Sequence, residues 1–170
     1  MENLFSNLSS QSRVWVYQSS RAFNAQEATE IAAMLQQFVA QWNSHKIDVV
    51  GGGELLHNLF VVLAADESQV GVSGCSIDST VRFVRELGAK FGVDFFNRWN
   101  MAYEQNNEVK CCSYTEFDAL LNAGVVSPST TVFNPLVKTI EELQTQFRIS
   151  FAQSPYKNLA AVSKVEGLTL

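Results

Sequence analysis

An unbroken apolar run, Leu59 to Ala65, constrains this chain more than any other stretch. Seven residues are too few for a membrane span, which takes about twenty. The run is short and rich in Val, Leu and Phe, and it reads as a strand over 58–65. A strand apolar at successive positions turns both faces away from water, so it needs a layer of structure on each side. The strand is expected to be buried on both faces.

The surrounding pattern supplies those layers. Arg13-Val-Trp-Val-Tyr-Gln18 alternates and predicts a first strand. Asn24 and Glu27 form a capping-box pair ahead of an amphipathic helix over 25–44. Ile47–Val50, the triple glycine 51–53 and Glu54–His57 read as a second strand broken by a bulge or wide turn, because glycine weakens a regular strand. After the apolar third strand, a loop with Gly71 and Gly74 leads to a second helix from near Asp78, stopped at Gly92. A fourth strand is expected over 93–103, an Asn106-Asn107 turn, and a fifth strand over 109–114. Thr115 is expected to cap a short helix with Asp118 at its third position; a strand at 131–133 and a helix at 139–147 follow.

The first six elements run β-α-β-β-α-β, a ferredoxin-like start. The expected fold class is α+β: a mostly antiparallel sheet with helices largely on one face, extended by a hairpin and two C-terminal helices. Residues 1–12 read as a flexible N-terminus, 13–155 as a single domain and 156–170 as a tail of uncertain order.

A net charge of −5 disfavours broad contact with nucleic-acid phosphates or anionic membranes, both of which attract Lys and Arg. Three cysteines without a Cys-x-x-Cys, and two isolated histidines, His45 and His57, suggest neither a disulfide framework nor a metal centre. No cofactor is expected. Residues 1–12 lack the basic-then-apolar pattern of a secretory signal, and a cytoplasmic location is the expectation.

The strings Val14-Trp-Val-Tyr-Gln18, Ser73-Gly-Cys-Ser-Ile-Asp78, Val93-Asp-Phe-Phe-Asn-Arg98 and Val132-Phe-Asn134 together resemble a small uncharacterised bacterial family loosely labelled "ABC transporter ATPase". The resemblance covers most of residues 13–155 and implies a shared fold, with no established activity to carry over. An ATPase of that kind needs Gly-x-x-x-x-Gly-Lys-Ser/Thr to cradle phosphates, and this sequence contains no such string. Its Phe60-to-Glu67 stretch only imitates the apolar strand with an acidic end that holds Mg²⁺ in such enzymes. ATPase activity is not expected.

Two clusters carry candidate chemistry. The segment around Cys75 joins a strand to a helix, where free amides and the helix dipole could hold an anion or lower a thiol pKa. Gly74, Cys75, Ser76, Asp78 and Ser79 are the candidate ligand-binding residues there, with Arg98 as a nearby cation. The competing reading makes Cys75 a packing residue and Asp78 or Ser79 a cap. The second cluster joins Arg13, Trp15, Tyr17, Gln18 and Arg21 to Asn97, Arg98, Trp99 and Tyr103. It suggests either a stacking surface or aromatics packed under a helix. The expected function is a non-catalytic binding domain for a small anionic ligand or a protein partner, with self-association as a further expectation. The alternative is a small-molecule enzyme using Cys75 on an anionic substrate.

Overall fold

The computed structural model describes residues 4–44, 47–66 and 74–158. In chain order these form β1 (Arg13–Gln18), α1 (Ala25–Gln41), the two-residue strands β2 (Asn43–Ser44) and β3 (Ile47–Asp48), β4 (Gly51–Leu56), β5 (Phe60–Ala65) and α2 (Gly74–Phe91). Then come β6 (Asn100–Gln105), β7 (Glu108–Ser113), α3 (Tyr114–Asn122), β8 (Thr131–Phe133), α4 (Ile140–Gln146), β9 (Arg148–Ser150) and two 3-10 turns, Phe151–Gln153 and Pro155–Asn158. The fold is α+β. One sheet has the order β1-β5-β4 and another the order β7-β6-β8-β9, with every pairing antiparallel.

Side-chain alternation explains how the sheets stack. On β5, Val61, Leu63 and Ala65 meet Ile31 and Leu35 of α1 and Val84 and Leu87 of α2. Phe60, Val62 and Ala64 turn the other way, into a cluster with Ala102 of β6, Phe133 of β8 and Ile140 and Leu143 of α4. The second sheet repeats the arrangement. Its Met101, Tyr103 and Val132 face away from β5 and pack on Tyr114 and Phe117 of α3. The result is helix, sheet, sheet, helix, with β5 in the middle of the first sheet and apolar at all six positions because both its faces are covered.

This corrects the expectation of a single sheet with helices largely on one face. The ferredoxin-like start holds for three strands, whose spatial order is first, third, second. The fourth strand would lie beside β1; instead β6 opens the second sheet, and β1 stays at an edge.

Several local expectations are also revised. β4 is continuous and pairs with β5 at all six residues, without a bulge at the glycines. The glycines are there for space: a Cβ on Gly51 would stand 2.6 Å from the Ala64 carbonyl oxygen, and one on Gly53 3.1 Å from Leu35 and Leu63 side chains. α2 starts at Gly74, a turn before Asp78, so neither Asp78 nor Ser79 caps it. Ser113 and Glu116, not Thr115 and Asp118, make the capping box of α3. Residues 93–99 form a loop rather than the start of a strand. The Asn24–Glu27 box is present as expected, as are positive-φ turns at Asn106-Asn107 and Gly92. His57 and Asn58 share the same left-handed conformation, with φ of 52° and 51°, and make the β4–β5 turn.

Candidate functional site

The outer edge of β1 pairs with a neighbouring segment only at its start. Val14 N–H donates to the Lys138 carbonyl (2.8 Å) and Ile140 N–H to the Ser12 carbonyl (3.1 Å), forming a single bridge between Arg13 and Thr139. Continuing that ladder would need Lys138 and Leu136 to donate to Val14 and Val16. Both N–H groups are used elsewhere: Lys138 N–H bonds Glu142 Oε2 at 2.7 Å and Leu136 N–H bonds Asn134 Oδ1 at 3.0 Å. Pro135 has no N–H to offer. Strand geometry then points the N–H groups of Val16 and Gln18 outward, since Val14 points out and alternate residues share a direction. Among the described residues neither has a partner.

A groove runs along this edge as two adjoining hollows of about 550 and 520 Å³, sharing Val16 and Pro135. Its far end is lined by Phe95, Phe96, Leu136 and Tyr156. Phe96 is 43% and Leu136 64% exposed, so the rim is apolar and open. The 92–99 wall is well tied. Asp94 Oδ1 accepts from Phe96 N–H (2.8 Å), Asn97 Oδ1 from Trp99 N–H (3.0 Å), and Phe96 packs edge-on to Tyr17 beneath the Arg85 guanidinium. Burial pushes the Tyr156 phenol up to about 12, so it stays a neutral donor at physiological pH.

Two carboxamides in this hollow are unsatisfied. Gln18 is only 6% exposed, and its Oε1 has no hydrogen-bond partner; neither does Asn100 Nδ2. A buried polar atom left unpaired costs about 1–3 kcal/mol. One acceptor and one donor are the groups a peptide unit can complement. Gln18→Met, close in shape, is expected to leave stability unchanged or raise it by up to ~1 kcal/mol, despite losing a 3.7 Å contact from Nε2 to Cys111 Sγ. Urea unfolding of both proteins checks this; a clear destabilisation would show that Gln18 is already satisfied.

The sequence-predicted residues are only partly gathered. Arg98 lines the groove with Gln18 and Asn97, uniting members of the second sequence cluster. Arg13, Trp15 and Tyr17 line the adjoining hollow, and the Trp15 and Tyr17 rings also pack against the helical-side cluster, Trp15 edge-on to Trp42 at 5.9 Å. Arg21 is bound to Glu27. Gly74, Cys75 and Ser76 begin α2, and their side chains lie outside the described residues, as does His45. Asp78 is exposed and Ser79 half-buried. None of 74–79 lines the groove beside Arg98. His57, at the β4–β5 turn, is joined through Asn58 to Phe23, whose ring packs edge-on to Phe91 at the end of α2 opposite Cys75. Sequence reasoning missed Val16, Asn100 and Leu136. The Asn134-Pro135 pair, which breaks a strand, was the available signal.

The other two thiols are poor nucleophiles. Burial pushes Cys112 up to about 12 and Cys111 in the same direction, with Cys111 Sγ near the Ser19 and Ser20 carbonyls. Because the thiolate is the reacting form, native Cys111 and Cys112 are expected to label slowly with iodoacetamide at pH 8 and faster as pH rises towards 12. Rapid labelling at pH 8, read by peptide mass, would contradict this. Among the described residues, no three His, Cys, Asp or Glu side chains gather as a metal site, and no helix is long and apolar enough to cross a membrane.

The chain matches no protein-family model, and no match was found among curated proteins or solved structures.

Proposed function

We propose that this chain is a non-catalytic, cytoplasmic binding domain that takes an extended polypeptide segment along the outer edge of β1. The observation that carries the reading is the row of outward backbone groups from Val16 to Gln18, left open because the N–H groups that would face them are used elsewhere, Leu136 N–H on Asn134 Oδ1 and Asn134 N–H on the Phe147 carbonyl. An added strand would bond that row through its main chain, and its alternate side chains would enter the groove. Gln18 Oε1 and Asn100 Nδ2 supply an acceptor and a donor at the end where β1 stops. ATP hydrolysis is no part of this role, in keeping with a sequence that has no phosphate-binding loop.

Selection from a library of random short peptides tests the proposal. Enriched peptides should alternate apolar and polar residues, and should protect the Val16 and Gln18 amides from hydrogen exchange. Failure to enrich any peptide, or binding that leaves those amides unchanged, would remove this reading. The thiol-enzyme alternative has one point in its favour: α2 begins at Gly74, which puts Cys75 in the first helical turn.

A further inference from the structure

We infer that the segment taken up along β1 is acidic: a stretch of a partner protein alternating apolar residues with Asp or Glu. This inference rests on the strand-addition reading and names the chemistry of the occupant. The chain as a whole carries a net charge of −5. Yet the groove is lined by three cations, Arg13, Lys138 and Arg98, and by no Asp or Glu among the described residues. The local sign is opposite to the global one.

The cations are also spread along the site. Arg13 and Lys138 stand where the bridge to Thr139 ends, and Arg98 stands beyond Gln18 at the other hollow. An acidic side chain pointing out of the groove at either end of an added strand would meet one of them, while apolar side chains between would meet Phe96, Leu136 and Val137. Arg13 and Arg85 are each stacked on an aromatic ring, Trp15 at 4.9 Å and Phe96 at 5.4 Å, which holds positive charge against the groove walls. Two carboxylates bond to residues of the groove without lining it, Glu142 through Lys138 N–H and Glu141 through Gln11 Nε2.

Charge also argues against the other occupants. Pairing β1 with β1 of a second copy would bring two sets of these cations together, and like charges across paired strands are destabilising. A single-stranded nucleic acid would welcome the cations but has no use for a row of strand N–H and C=O groups, and the remaining surface repels it.

The test uses the full chain with two fluorescent peptides, one alternating valine with glutamate and its counterpart alternating valine with lysine. The glutamate peptide should bind at least about ten-fold more tightly at low salt, weaken as salt rises, and protect the Val16 and Gln18 amides. Arg98→Glu and Lys138→Glu should each weaken it about five-fold, and together should erase the preference. Equal binding of both peptides with those amides protected would overturn the acidic partner while leaving strand addition standing. Binding of neither would remove both. Displacement of the glutamate peptide by polyuridylate, or protection of the same amides by the protein's own dimerisation, would assign the groove to a different occupant and overturn the inference.

Discussion

Phe60→Ala is expected to cost about 3–5 kcal/mol, the range for truncating a fully buried aromatic. Phe60 is completely buried at the start of β5 and points into the cluster between the two sheets. Its ring lies 5.3 Å from that of Phe133 on β8 and 5.0 Å from that of Phe147 beyond α4, and those two rings are themselves 5.3 Å apart. Removing it opens a void bounded by strands from different sheets, which cannot close without moving one sheet on the other. Denaturant unfolding should show a lower midpoint with an unchanged slope. A loss below about 1 kcal/mol would mean that the sheets do not pack through this residue.

The second large effect is expected at Gly51. Alanine there would put its Cβ 2.6 Å from the Ala64 carbonyl oxygen on the paired strand and 3.0 Å from the Trp42 ring. A backbone atom cannot step aside as a flexible side chain can, so β4 must shift against β5 at a cost of about 1–3 kcal/mol. Gly92→Ala provides the contrast. Its Cβ would meet nothing within 4 Å, but Gly92 has a φ of +63°, so its cost is conformational, about 1–2 kcal/mol. Thermal unfolding of the two variants separates crowding from backbone strain. Adding Trp42→Ala to each should recover part of the Gly51→Ala loss and none of the Gly92→Ala loss.

The same two regions show what can be read from sequence here. The run from Leu59 to Ala65 predicted a strand covered on both faces, since its composition admits no wet side. It could not say that one cover would be a second sheet, because helix and sheet present the same apolar surface to a strand. Three consecutive glycines pointed to a weak strand on local grounds. Tertiary packing decided otherwise, as α1 and β5 approach too closely for side chains at Gly51 and Gly53. Asp78 and Ser79 are good capping residues and suggest a start for α2 a turn later than Gly74, but local capping preference does not fix where a helix begins.

The site was legible only in fragments. The second sequence cluster is largely gathered: Arg13, Trp15 and Tyr17 line one hollow of the groove, and Gln18, Asn97 and Arg98 the other. The free edge itself depends on where the chain returns 120 residues later, and on two side-chain bonds, from Asn134 and Glu142, that no local pattern announces. Nor did the sequence's overall negative charge hint at a groove whose charged lining is entirely positive among the described residues.

Amide hydrogen exchange along β1 in the ligand-free protein tests the free edge most directly. Trp15 and Tyr17 direct their N–H groups into the ladder with β5, whereas those of Val16 and Gln18 face the groove. Val16 and Gln18 are expected to exchange at least ~100-fold faster than Trp15 and Tyr17 under native conditions. Equal protection of all four would mean that the outer edge is already covered, and the binding site proposed along it would not exist.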